Sequence, residues 1–204
     1  MRIKTCQILL VAFLLSSSLY GQNGYENGFV VSLQSDTLFG VIKDRKPEPF
    51  PKLYKKIRFK KEGTRFTKRY APSEIKGYKA GTRVYESVGL ETESRLFKTR
   101  YLITQSSPKS FLKVVHRGKL SYYHWEYPDS ESGIIDYMPL FHIEGRYEMV
   151  RVTQGILGLK RELLSVYFSD CPALAQKIEK REIRTPEEII DFYRNYCAIS
   201  DKIK

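Results

Sequence analysis

Phe29-Val30-Val31-Ser32-Leu33 and Thr37-Leu38-Phe39-Gly40-Val41-Ile42, with Gln34-Ser35-Asp36 between them, decide how this chain is read. Each run is made of β-branched, aromatic and aliphatic residues and is too short for a self-supporting helix. With a three-residue polar spacer, the pair reads as a tight antiparallel hairpin. The pattern recurs downstream. Lys55–Lys60 and Arg65–Tyr70 flank Lys61-Glu62-Gly63-Thr64, a second hairpin with glycine in its turn. Ala71-Pro72-Ser73-Glu74-Ile75 reads as one helical turn leading into Gly77-Tyr78. Further strands are expected at 83–90, 96–104, 110–115 and 119–127, the last two joined by His116-Arg117-Gly118. A polar turn at 129–133 separates these from strands at 134–143 and 147–152.

After Gly155 the apolar period lengthens to that of a helix. Leu159, Leu163, Val166 and Tyr167 fall at i, i+4, i+7 and i+8. Cys171-Pro172 opens a second helix with Leu174, Ala175 and Ile178 on one face. Thr185-Pro186-Glu187-Glu188 opens a third, with the signature of a capping box and proline at the first helical position. Its apolar face is Ile189, Ile190, Tyr193, Tyr196 and Cys197. The fold class is therefore α+β: a β-rich region over 22–152, a small antiparallel barrel or sheet built from hairpins, then about three helices over 156–204.

The chain has 204 residues, of which 42% are hydrophobic and 28% charged, a profile that excludes collagen-like, low-complexity and multi-pass membrane proteins. Its first residues read as a secretory signal peptide: Arg2 and Lys4, the apolar run Ile8–Leu15, three serines, and small Gly21 before a mature start at Gln22. The run is too short to span a bilayer. Cys6 precedes it and is not placed as a lipoprotein anchor. Export implies the periplasm, the outer membrane's surroundings or the outside of the cell, with no transmembrane segment in the mature chain. It leaves Cys171 and Cys197, both on apolar helical stripes, in a compartment where disulfides persist. The two are 26 positions apart, and joining them stabilises by about 3–4 kcal/mol before strain. The competing reading is a pair of buried free thiols.

No HExxH, CxxC, GxSxG, GxGxxG or GxxxxGK[ST] pattern occurs, so neither a catalytic residue, a metal site nor a cofactor is assigned. His116, His124 and His142 are too dispersed to form a site without help from the fold. Asp129, Glu131 and Asp136 lack the ligand spacing of a calcium loop and read as a solvated turn. Tyr123, Trp125 and Tyr127 share one face of a strand, and Tyr122 shares the other with His124. The former trio is either core packing or an aromatic surface on which sugars or bases stack.

Charge is the stronger signal. Lysine and arginine number 35 against 23 acidic residues, a formal +12 that becomes +10 once Arg2 and Lys4 are removed. Residues 52–69 carry nine cations and only Glu62 in opposition. Strand alternation puts Ile57 and Phe59 on one side and Lys56, Arg58 and Lys60 on the other. On the return strand Phe66 and Tyr70 are expected to join the apolar side and Arg65 and Arg69 the basic one. Five cations, Lys56, Arg58, Lys60, Arg65 and Arg69, then form a candidate ligand-binding face. Its counterpart would be an anionic envelope polymer, a lipid headgroup or an envelope protein; export disfavours nucleic acid. The competing reading is a solvated face that guards an edge against aggregation.

Tyr25–Ile42, Tyr70–Tyr78, Phe111–Tyr123 and Tyr167–Leu174 resemble the successive blocks of a family of uncharacterised exported proteins of Bacteroidota. In that family glycine usually precedes the Asp-Thr of the first block, where this chain has Ser35. The resemblance implies an envelope or secreted protein and transfers no catalytic residue. The order of elements over 27–80 is also similar to small five-stranded barrels of the SH3 or Sm type, an analogy of fold alone. The expected function is a non-enzymatic binding or interaction module of the cell envelope. The alternatives are a hydrolase of an envelope polymer and a structural accessory of an outer-membrane complex.

Overall fold

In the computed structural model, which describes residues 24–45, 53–95, 98–129 and 134–198, the first hairpin pairs β1 (Tyr25–Ser32) with β2 (Thr37–Lys43). Phe29 stands opposite Phe39 and Val30 opposite Leu38. The basic hairpin follows as β3 (Ile57–Lys61) and β4 (Thr67–Tyr70). A turn closed by Glu74 N donating to Ala71 O, 3.0 Å, leads into β5 (Ile75–Ala80). Then come β6 (Arg83–Arg95), β7 (Lys98–Ile103), β8 (Lys109–His116), β9 (Leu120–Pro128), β10 (Ile135–Ile143) and β11 (Glu148–Arg151). The export signal expected at 1–21 lies outside the described residues, as do Cys6, Lys52 and Glu131.

β6 is the hinge of the architecture. Its first half pairs with β5 along one edge and β8 along the other, and from Leu90 onward it pairs with β7. The ladder β7-β11-β10-β9-β8 returns to β6, so these six antiparallel strands close into a barrel. The remaining strands extend from β6 as a flank in the order β4-β3-β2-β1-β5. Gly28 and Gly40, a cross-strand pair, let the neighbouring flank strands approach closely. A Cβ on either would collide with the carbonyl oxygen of Lys79 or Lys60 on the neighbouring strand.

Three cores result. Leu90, Tyr101, Leu112, Tyr123, Leu140 and Met149 fill the barrel. Val30, Ile42, Ile57, Phe59, Tyr78 and Tyr85 pack the flank against Phe111 of β8. The third lies outside the barrel on β9–β11, where Tyr122, Phe141, Ile143 and Val150 meet the helices. Along β9 and β10 alternate residues thus enter different cores: Tyr123 and Leu140 point in, Tyr122 and Phe141 point out. Each fully buried side chain of this size is worth roughly 1.5–3 kcal/mol.

The helices are α1 (Arg161–Tyr167), α2 (Pro172–Glu179) and α3 (Pro186–Phe192), the last continuing into a π-helical turn at Tyr193–Cys197. The expected capping box at Thr185 and Glu188 is present. The face expected for α1 needs correction. Leu163 and Val166 are exposed, and the buried residues are Leu164, Tyr167 and Phe168. Leu159 is buried, but it precedes the helix in an isolated bridge to Thr153, so it does not set the helical phase. Tyr196 also points outward, stacked on Phe192 with centroids 4.6 Å apart. Cys171, at the start of α2, and Cys197 are joined in a disulfide with Cα atoms 5.7 Å apart. No helix among the described residues is long and apolar enough to cross a membrane.

Candidate functional site

The basic hairpin sorts its side chains as strand geometry requires. Ile57 and Phe59 are buried in the flank core, and Arg58 and Lys60 face out. Arg58 stands directly opposite Lys43 on β2 and Arg69 on β4. Directly opposed residues share a face, so Lys43, Arg58 and Arg69 form a row of three cations across three strands. Like charges directly opposite one another are unfavourable in a sheet. Lys55 and Lys56, just before β3, approach the same place. With Tyr54 and Asp44 these residues line a cleft of about 320 Å³: five cations around one carboxylate. Glu74 reaches Lys56 only at 4.0 Å, an exposed and weak pairing.

Of the five cations expected to act together, the cleft gathers Lys56, Arg58 and Arg69. Lys60 is two residues further along the same face, opposite Val41 and Thr67, and Arg65 is exposed in the link between β3 and β4. Phe66 does not join the apolar side; it is 88% exposed. The physical reason is that β4 begins only at Thr67, so alternation counted back from Tyr70 stops before Phe66. Lys68 takes the inward phase at this sheet edge and lays its ammonium over the Tyr70 ring, 4.6 Å from the centroid. Lys43, Tyr54 and Asp44 are not marked by the sequence, and Lys55 enters only in the count of nine cations, because the β2–β3 register across residues 44–56 is not encoded locally.

Asp44 also anchors a polar network behind the cleft. Its carboxylate accepts hydrogen bonds from Tyr78 Oη at 2.6 Å, Tyr85 Oη at 3.1 Å and the Arg45 amide at 2.6 Å. Arg83 Nε lies 3.5 Å from it and also pairs with Glu26. Burial pushes both tyrosine hydroxyls well above their ordinary range, so they stay protonated and donate. Arg45, 5% exposed, pairs with buried Glu126 of β9 at 2.9 Å and packs over Tyr85 and Phe111. A buried ion pair is weak evidence of net stability, but losing one partner costs about 3–5 kcal/mol. The network thus pins the end of β2 to the barrel and fixes the wall from which Lys43 projects.

The aromatic trio does not form a surface. Tyr123 is 3% exposed within the barrel core, and Trp125 packs there edge-on to Tyr101, centroids 6.3 Å apart. Both point inward because β9 alternates within a closed barrel. Tyr127 is half-buried and donates to Asp136 at 3.1 Å. His124 stacks on Tyr137, with centroids 3.9 Å apart, on the outward side of β9, whereas His142 lies at one end of the barrel with Nε2 2.9 Å from Arg146 O. The two histidines do not share a site. Among the described residues no group of three or more histidine, cysteine or acidic side chains is placed to hold a metal ion.

No family model, no curated protein and no solved structure matches this chain.

Proposed function

We propose that this protein is an exported envelope module that binds an anionic polymer or lipid headgroup through the cleft lined by Lys43, Lys55, Lys56, Arg58 and Arg69. The observation that carries the reading is the lateral row Lys43–Arg58–Arg69 lining one concave surface, a concentration of like charge that an anion would stabilise. A cluster of one sign of charge around a concave surface concentrates its field there. The amino-terminal pattern over 1–21 and the Cys171–Cys197 disulfide support an oxidising, extracytoplasmic address. In that address lipopolysaccharide phosphates and acidic glycans are the abundant polyanions, and the likeness to exported Bacteroidota proteins points the same way.

Equilibrium binding of the processed chain to lipopolysaccharide and to dextran sulfate tests this reading. The triple variant Lys56→Glu/Arg58→Glu/Arg69→Glu is expected to lose binding to both while keeping the wild-type circular dichroism spectrum. Unchanged binding by a folded triple variant would leave the cationic face as a solvated, aggregation-resistant edge.

A further inference from the structure

A second concavity sits at one end of the six-stranded barrel and shares no residue with the basic cleft. Its volume is about 840 Å³, within the range of roughly 300–1,000 Å³ typical of small-molecule sites. Its inner part is apolar: Tyr123 and Met149 belong to the barrel core, and Val88 and Ile103 pack against that core. Its rim is ionic, with Lys109, Arg117 and Lys119 against Glu86 and Glu144. Glu86 is already committed, since it pairs with Arg117 and accepts a hydrogen bond from Tyr123 Oη at 2.8 Å. Lys109, by contrast, has no carboxylate partner among the described residues.

One backbone contact fixes a wall of this cavity. The strand β6 comes to the 104–107 turn at Gly89, where a Cβ would strike the Thr104 carbonyl oxygen; Thr104 N in turn donates to Gly89 O at 3.1 Å. This contact ties the turn to the barrel as one wall of the cavity.

We propose that this end of the barrel binds a small amphipathic carboxylate. Its apolar portion lies against Val88, Ile103 and Met149, and its anionic group lies at Lys109. An apolar floor with a cationic group at the rim discriminates against cations by charge and against fully polar solutes by the desolvated interior. This site is independent of the basic cleft: it takes one small molecule, not a polymer.

Isothermal titration of the processed chain with decanoate, and separately with decyltrimethylammonium, tests the proposal. One decanoate per chain is expected, with no saturable binding of the cationic analogue at the same concentrations. Lys109→Glu is expected to weaken decanoate at least tenfold, and Lys109→Gln serves the same purpose if the reversal does not fold. Lys56→Glu/Arg58→Glu/Arg69→Glu is expected to leave decanoate affinity unchanged, which separates this site from the polyanion cleft. Absence of saturable decanoate binding to the folded wild type, equal affinity for the two amphiphiles, or undiminished affinity in a folded Lys109 variant would overturn it.

Discussion

Ser35 shows what a single residue costs. It occupies the β1–β2 turn with φ 75°, the left-handed region that L residues other than asparagine and aspartate rarely adopt. Glycine, which has no Cβ, takes this backbone conformation without strain. Ser35 is held there by a hydrogen bond from Lys76 Nζ at 2.6 Å, and the turn is closed by Ser32 N donating to Asp36 O at 2.8 Å. The Lys76 contact is exposed and recovers only part of the strain. Ser35→Gly is therefore expected to stabilise the protein by about 0.5 kcal/mol, the relief of left-handed strain less the extra freedom gained by the unfolded chain. Chemical denaturation measures it; a variant less stable than wild type would mean that the Lys76 contact outweighs the strain. The buried Asp44 is the opposite case. Sequence offered no sign that it would receive two tyrosine hydroxyls from β5 and β6, because those partners lie more than thirty positions away.

Elements were legible where local rules govern them and illegible where packing does. The hairpins of β1–β2 and β3–β4 follow from short apolar runs around turns, and the α3 start follows from Thr185-Pro186-Glu187-Glu188. The phase of α1 differs from the expected one because its two exposed apolar residues, Leu163 and Val166, compete with the buried set. A single periodicity cannot choose between two apolar stripes; the sheet beneath, with Phe141 against Phe168, makes the choice. At the α3 capping box, amide groups of Arg184 and Thr185 donate to Glu188 and hold its carboxyl below the ordinary 4.5. A depressed carboxyl stabilises the fold at pH above its unfolded value, and the contribution is lost as pH falls through the depressed one. Glu188→Gln keeps an acceptor but not the charge. Wild type is expected to melt higher than Glu188→Gln at about pH 7, with the gap closing as pH falls below the ordinary carboxylate range. A gap independent of pH would contradict the role given to the carboxylate.

At the scale of the whole molecule, the α+β order and a barrel or sheet built from hairpins were readable, but which strands close the barrel was not. Closure depends on β6 changing partners from β5 to β7 along its length and on β8 reaching back to its other edge, pairings that no local pattern encodes. The same closure turned Tyr123 and Trp125 inward and left the cationic flank as the distinctive outer surface. The candidate site was half legible for a related reason. Alternation on β3 revealed Arg58, and the return strand revealed Arg69, but Lys43 came alongside only through the register of β2 against β3. The central claim is that this row reads an anion by charge, and the salt dependence of binding measures it most directly. Wild type binding to lipopolysaccharide is expected to weaken steeply on a plot of log affinity against log salt. Arg58→Ala should make that slope shallower by about one unit, the release of one counterion contact. A slope near zero for wild type, or an identical slope in folded Arg58→Ala, would contradict the account.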